Sequence, residues 1–230
     1  MKKRLKINGI IMSAAFILAA AFPAIFFRQG AKSVTFWGQI AEMFGVACIL
    51  LGQILRVSSR GFKAENSRNG NVLIEAGPYS LVRNPMYLGI FFIGLGVVLM
   101  LFRWWVLVLF TLIFAIRYIL LMFKEEEKLT HLFPEAYLTY CKKVPQRIKP
   151  SLRALLYRDI SEYLPVKMVW IRKEIGTILA VLLPVLLIES WLDIKSRGVN
   201  LYLEESTGVF IIIVLFLCLI GYLNWRTVKI

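Results

Sequence analysis

The residues best suited to chemistry cluster in one stretch, Asn71-Val-Leu-Ile-Glu-Ala-Gly-Pro-Tyr-Ser-Leu-Val-Arg-Asn-Pro-Met-Tyr-Leu-Gly89. Gly77-Pro78 marks a turn. Asn84-Pro85 is the pattern of a helix start, with Asn at the N-cap and Pro at the first helical position. A helix start accounts for that pair but not for Tyr79, Arg83 and Tyr87 gathered around it. Free backbone N–H groups at a helix N-terminus favour an anionic group. Aromatic rings offer stacking faces and attract a cation. Together these suit a ligand that carries a carboxylate, a flat base and a positive centre.

Two further groups follow. Glu125-Glu126-Glu127 are three acids in an otherwise basic stretch, read either as a solvated helix end or as part of a site. Arg117 lies eight residues upstream of Glu125, about 12 Å along a helix and about 80° around it. It is the one charge deep in the fourth apolar run, and such charges face a polar interior or a substrate path. An ion pair with a carboxylate of another span, such as Glu42, and contact with substrate both fit it. The stretch His131-Leu-Phe-Pro-Glu-Ala-Tyr137-Leu-Thr-Tyr140-Cys-Lys-Lys-Val-Pro145-Gln-Arg147 spaces its aromatic residues along one face of a helix. His131 is the single histidine, so no histidine metal cluster is possible. It reads as an exposed or packed ring.

What must position these residues is a membrane protein. Of the 230 residues 59% are hydrophobic and only 18% charged, against roughly 45–50% and about 25% in soluble domains. That excludes a soluble globular or a disordered chain. Apolar runs at 9–27, 34–55, 86–102, 104–123, 175–192 and 208–225 predict about six transmembrane helices. The first run imitates a secretory signal but is long and is followed by others, so it reads as a retained helix. Gln39, Glu42 and Gln53 make the second a weaker span with a polar face turned inward. The third and fourth, separated by Arg103 and the Trp104-Trp105 step, form an antiparallel hairpin. Pro184 can kink the fifth.

Net charge is +14, which in a soluble protein would suggest nucleic acid. Its distribution says otherwise. Of the 28 Lys and Arg residues, 22 fall in 1–8, 56–85, 122–175 and the stretch after 225, all on one side of a six-span layout. Both termini are therefore expected in the cytoplasm, with anionic lipid rather than nucleic acid as the partner. Cys48, Cys141 and Cys218 share no metal-binding or disulfide spacing. In 152–164, Leu152, Leu155, Leu156, Tyr163 and Leu164 recur at helical spacing. That predicts an amphipathic helix, lying either on the membrane surface or on the protein's own cytoplasmic side.

The residues quoted above resemble the isoprenylcysteine carboxyl methyltransferase family, whose wider relatives include phospholipid methyltransferases. The family's hallmark is Arg-His-Pro-x-Tyr-x-Gly, a helical hairpin, a Glu pair, then Phe-Gly-x-x-Tyr-x-x-Tyr ending near Val-Pro. This chain has Arg83-Asn84-Pro85-Met86-Tyr87-Leu88-Gly89, Glu125-Glu126, Phe133-Pro134-Glu135-Ala136-Tyr137-Leu138-Thr139-Tyr140 and Val144-Pro145. Asn84 stands where the family commonly has His, and Pro134 where it has Gly. Leu121 stands where the prenylcysteine enzymes place a substrate-contacting Arg, which disfavours a prenylcysteine carboxylate.

The resemblance, over about 71–150, implies an all-α polytopic membrane methyltransferase whose hairpin forms the site for S-adenosyl-L-methionine. Asn71, Val72, Leu73, Ile74, Tyr79, Asn84, Pro85, Met86, Tyr87 and Glu125 would hold it. Arg117 would serve the acceptor side, and Glu126 or Tyr87 would accept a proton from an amine or thiol acceptor. The expected organisation is two helices in 1–55, a catalytic core in 56–150, and an amphipathic segment with two extra spans in 151–230. The expected partners are membrane lipids and a lipophilic acceptor, a lipid or small molecule, in a bacterial plasma membrane with the site on the cytoplasmic side. The rivals are an NADPH-dependent membrane reductase of the sterol-reductase type and a non-catalytic lipid-binding protein.

Overall fold

The computed structural model describes residues 27, 36–67, 72–145, 147, 159–197 and 199–229. The predicted first span and residues 151–158 of the amphipathic segment lie outside them. All named elements are helices: α1 Phe36–Asn66, α2 Pro78–Leu81, α3 Pro85–Leu101, α4 Trp104–Leu132, α5 Pro134–Lys143, α6 Ile160–Tyr163, α7 Met168–Arg197 and α8 Val199–Lys229. Among the described residues α1, α4, α7 and α8 are long and apolar enough to cross a membrane, and α3 is a shorter apolar helix. The chain is a polytopic all-α membrane protein. With 17 residues, α3 is about 25 Å long.

The helices outrun their apolar stretches. α1 continues to Asn66 and α4 to Leu132, because Lys, Glu and Arg keep good helix propensity where hydropathy ends. α1 also buries two serines with partners. The Ser58 hydroxyl donates to the Pro165 carbonyl at 2.6 Å, and the Ser59 hydroxyl to the Leu55 carbonyl at 2.6 Å.

The span that looks weakest in the sequence is the hub. In α1, 61% of the apolar stretch is buried, against 11%, 11% and 6% in α4, α7 and α8. The other three present apolar faces outward, Ile116 and Leu120 on α4 and Phe210 and Leu215 on α8 among them, as lipid contact requires.

α1 meets α3 backbone to backbone. A Cβ on Gly52 would lie 2.6 Å from the Gly89 carbonyl oxygen, and one on Gly96 would lie 2.3 Å from the Gly45 carbonyl oxygen. The pairs Gly45/Gly96 and Gly52/Gly89 are each seven residues apart on both helices, so the contact is antiparallel and in register. Small residues permit this approach between membrane helices, where dispersion rather than water exclusion drives association.

α3 and α4 form the predicted hairpin, closed by an aromatic seam. Phe91 packs on Phe110 and Phe114 at 6.0 and 5.1 Å between centroids, Phe114 stacks on Tyr118 at 4.0 Å, and Tyr118 meets Tyr87 edge-on at 5.2 Å. α7 passes through Pro184 without interruption. The described end of the amphipathic segment lies on the protein itself. Asp159 caps α6 by accepting from the Ser161 N–H at 3.1 Å, and also takes the Arg226 guanidinium of α8. Tyr163 is buried beside Leu55, Leu81, Val82 and Leu88.

Glu42 does not sit with Arg117. Its carboxylate is buried with those of Glu189 and Asp193 of α7, their oxygens within 4.8 Å of one another. Arg117 instead shares the surroundings of Tyr118 with Arg56. Arg56 is fourteen residues from Glu42 on α1, about 21 Å along the axis.

Gly77, before α2, is the one described residue with positive φ, at 59°. A Cβ there would be 2.9 Å from the Phe62 ring. Gly77→Ala is expected to cost about 1–3 kcal/mol, read as a lowered Tm of the purified protein; an unchanged Tm would contradict the strain.

Candidate functional site

Four elements converge at one end of the hairpin. α1 ends at Asn66, and the Ser67 hydroxyl donates to the Val72 carbonyl at 3.0 Å, which ties the irregular stretch 72–75 to the helix end. α2 follows. α3 begins at Pro85 with Asn84 in the N-cap position, as the sequence predicts. The Asn84 side chain makes no capping bond to α3. Its Nδ2 and backbone N–H both point to the Arg147 carbonyl, at 3.5 and 3.1 Å, so the first N–H groups of α3 are left without a side-chain cap. α4 closes the other side.

Between them is a cavity of about 340 Å³, within the lower range for small-molecule sites. Val72, Leu73 and Ile74 form one wall, Tyr79 and Asn84 to Tyr87 the floor, and Glu125 the far side. Nine of the ten sequence-predicted cofactor residues thus line one space; the tenth, Asn71, is outside the described residues. The sequence reading missed Lys63, Ser67, Lys128, Leu129, Leu132, Phe133 and Tyr140, which also line it. For α4 the signal was present, since Glu125, Lys128, Leu129 and Leu132 share one face at helical spacing. Nothing in the sequence pointed to Lys63.

Polar groups are set into a largely apolar lining. The Tyr87 phenol lies beside the Glu125 carboxylate. Burial, then the neighbouring Glu125, push the Tyr79 phenol above its ordinary range. Burial, then Tyr137, do the same for Tyr140. Both phenols therefore remain protonated donors at neutral pH. The Tyr140 hydroxyl donates to the Tyr79 carbonyl at 2.7 Å, tying α5 to α2. Pro134 occupies the first turn of α5, where its missing N–H costs nothing. Tyr137 and Tyr140 are the buried face of that helix, as their spacing predicts, and His131 is exposed.

Glu126 faces elsewhere. Its carboxylate is held by Arg83 at 3.3 Å and Arg147 at 3.2 Å. Arg83 also donates to the Cys141 sulfur at 3.1 Å and the Pro145 carbonyl at 3.2 Å. Arg83 thus binds the three separated motif elements together, and Glu126 is the anion of that clamp. It borders a second pocket of about 250 Å³ with Ile119, Met122, Phe123 and Arg147, outside the central cavity. Arg117 lines neither.

The structure is thus a membrane protein whose α3–α4 hairpin opens, at one end, onto a cavity lined by both apolar and polar side chains. Residues 40–136 match the model of the family described as phospholipid methyltransferase. Over 113 residues the chain is 33% identical to a protein-S-isoprenylcysteine O-methyltransferase of Xenopus laevis, a match that takes in 45% of this chain and 39% of that relative. The chain therefore aligns with well under half the length of the curated relative it matches. No solved structure matches. The two matches make this segment similar to phospholipid and isoprenylcysteine methyltransferases.

Proposed function

We propose that the protein transfers a methyl group from S-adenosylmethionine to a lipophilic acceptor that approaches from the bilayer. The observation that carries this is the joining of Val72 to Ile74, Tyr79, Asn84 to Tyr87 and Glu125 around one cavity. These residues fit the molecule. Glu125 accepts from hydroxyl or ammonium groups, the uncapped start of α3 receives a carboxylate, and Tyr79 and Tyr87 pack a flat base or a cationic centre. When bound, S-adenosylmethionine supplies an electrophilic methyl group on a sulfonium. The chain's contribution is position and exclusion of water.

Because Glu126 is engaged by two arginines, its role is to position Arg83, and a proton from an amine or thiol acceptor falls to the Tyr87–Glu125 pair. Arg117 serves the acceptor side. The basic segments 56–85 and 122–175 favour a cytoplasmic site, in a bacterial plasma membrane.

The test is calorimetric binding of S-adenosylhomocysteine to purified protein. Glu125→Gln, which removes a charged acceptor, is expected to weaken binding about tenfold or more. Arg117→Ala is expected to keep that binding and lose turnover. Undiminished affinity in Glu125→Gln would remove Glu125 from the site, and full activity in Arg117→Ala would remove Arg117 from the acceptor side.

A further inference from the structure

Outside the central cavity, α1 and α7 share a charged cluster that the segment 40–136 does not contain by itself. Glu174 of α7 accepts from Arg60 of α1 at 2.9 Å and lies 3.6 Å from Arg56. The Thr177 hydroxyl donates to the same carboxylate at 3.0 Å. Two guanidiniums share one carboxylate, so these three side chains carry a net positive charge. Arg56 and Glu174 are largely covered, with side chains 21% and 15% exposed.

The cluster adjoins the methyl-transfer site. In the α1–α3 register set by Gly45/Gly96 and Gly52/Gly89, Arg56 is level with Pro85, the first residue of α3. Only hydrogen on Gly89 lets the Arg56 backbone N come within 3.1 Å of where a Cβ would lie. The fields of Arg117 and Arg56 both reach Tyr118, which packs on Tyr87, the neighbour of Glu125. The register therefore puts Arg56 level with the start of α3, whose first residues line the cavity. One turn deeper on α1, the Gln53 amide Nε2 is buried and has no hydrogen-bond partner. Gln53, Arg56 and Arg60 fall on one stripe at i, i+3 and i+7. α7 turns Val169, Ile175 and Leu179 outward, so lipid reaches its flank.

We infer that Arg56 and Arg60 are the subsite for an anionic group of the methyl acceptor, with Glu174 as the counter-ion that the acceptor displaces. This rests on the methyl-transfer reading. The acceptor is a lipophile with a phosphate or carboxylate close to the atom that is methylated. Oxygens beneath that anion meet Gln53. Glu174 holds the two cations when no acceptor is present, which spares the covered Arg56 an unpaired place beside apolar helices; Arg60, with its side chain 45% exposed, is also reached by solvent.

The test measures binding of acyl-labelled phosphatidic acid, oleate and phosphatidylcholine to the full chain in detergent. S-adenosylhomocysteine binding is measured on the same samples. Glu174→Gln is expected to tighten the two anionic probes several-fold, and Arg56→Gln to weaken them about tenfold. Phosphatidylcholine and an Arg103→Gln control should not move. Preference between phosphatidic acid and oleate tells phosphate from carboxylate. If Glu174→Gln does not fold, Arg56→Gln decides. Anionic binding that ignores these charges, in protein that binds S-adenosylhomocysteine, overturns the subsite alone. Absence of S-adenosylhomocysteine binding in the wild type overturns the methyl-transfer reading and the acceptor assignment with it.

Discussion

Gly96→Leu is expected to prevent the protein from reaching its native packing. A Cβ at this position would stand 2.3 Å from the Gly45 carbonyl oxygen and 2.9 Å from the Ile49 backbone N. Those are backbone atoms of a helix, so no side-chain rotation relieves the clash. α1 and α3 would have to move apart, and with them the packing of Val46, Ile49 and Leu50 on Met100 and Leu101. Overpacking a core costs about 1–3 kcal/mol when side chains can adjust, and more is expected here. Without a hydrophobic drive between membrane helices, close contact is what holds the pair. The measurement is the monodisperse yield and Tm of detergent-solubilised protein. Gly221→Ala is the control: a Cβ on this α8 residue would meet nothing within 4 Å, and Ala favours a helix by up to about 1 kcal/mol. Normal yield and Tm in Gly96→Leu would show that the α1–α3 contact is not what supports the site.

Arg83→Gln is the second large effect. The guanidinium is nearly covered, with its side chain 11% exposed against 13% for Glu126. Removing it takes one of two cations from a largely covered carboxylate and leaves the Pro145 carbonyl and the Cys141 sulfur without their donor. Breaking a fully buried pair from one side costs about 3–5 kcal/mol; with Arg147 still in place the cost here is expected below that range. The expected result is a clear fall in Tm, with S-adenosylhomocysteine binding lost because Asn84, α5, Pro145 and Arg147 no longer brace the cavity. Arg83→Lys should recover only part of the stability, since an ammonium cannot reach three partners as a planar fork does. A wild-type Tm in Arg83→Gln would reduce the clamp to a surface contact.

How much of this the sequence held differs by level. The hairpin, the helix start at Pro85 and the buried face of α5 follow from local pattern. That Tyr79, Asn84 to Tyr87 and Glu125 line one cavity was implied by the family resemblance and not by local pattern. The roles of the adjacent acids Glu125 and Glu126 were not legible. They lie about 100° apart on α4, so one faces the cavity and the other the arginine clamp, and only the packing of α4 tells which.

The importance of α1 was obscured for a related reason. Glu42 and Gln53 lower its hydropathy, yet both are buried because the helix is surrounded by others rather than by lipid. The four glycines gave a readable signal, the same seven-residue spacing in two apolar runs, but its meaning depends on knowing that the runs pair antiparallel. Depth misled the pairing of Arg117 with Glu42, since both lie in apolar runs and only the register shows them at different ends of the bundle. α7 supplies Glu174 from beyond the matched segment, a contact at a separation of 114 residues from Arg60 that no local pattern encodes.

The central claim is methyl transfer in the membrane, and it is tested most directly by supplying S-adenosylmethionine with a labelled methyl group to membranes that contain the protein, then extracting the lipids. The expected result is label in the lipid fraction that disappears with Glu125→Gln and identifies the acceptor by its mobility. The contradicting result is no protein-dependent label in membranes from several sources, together with no S-adenosylhomocysteine binding to the purified chain.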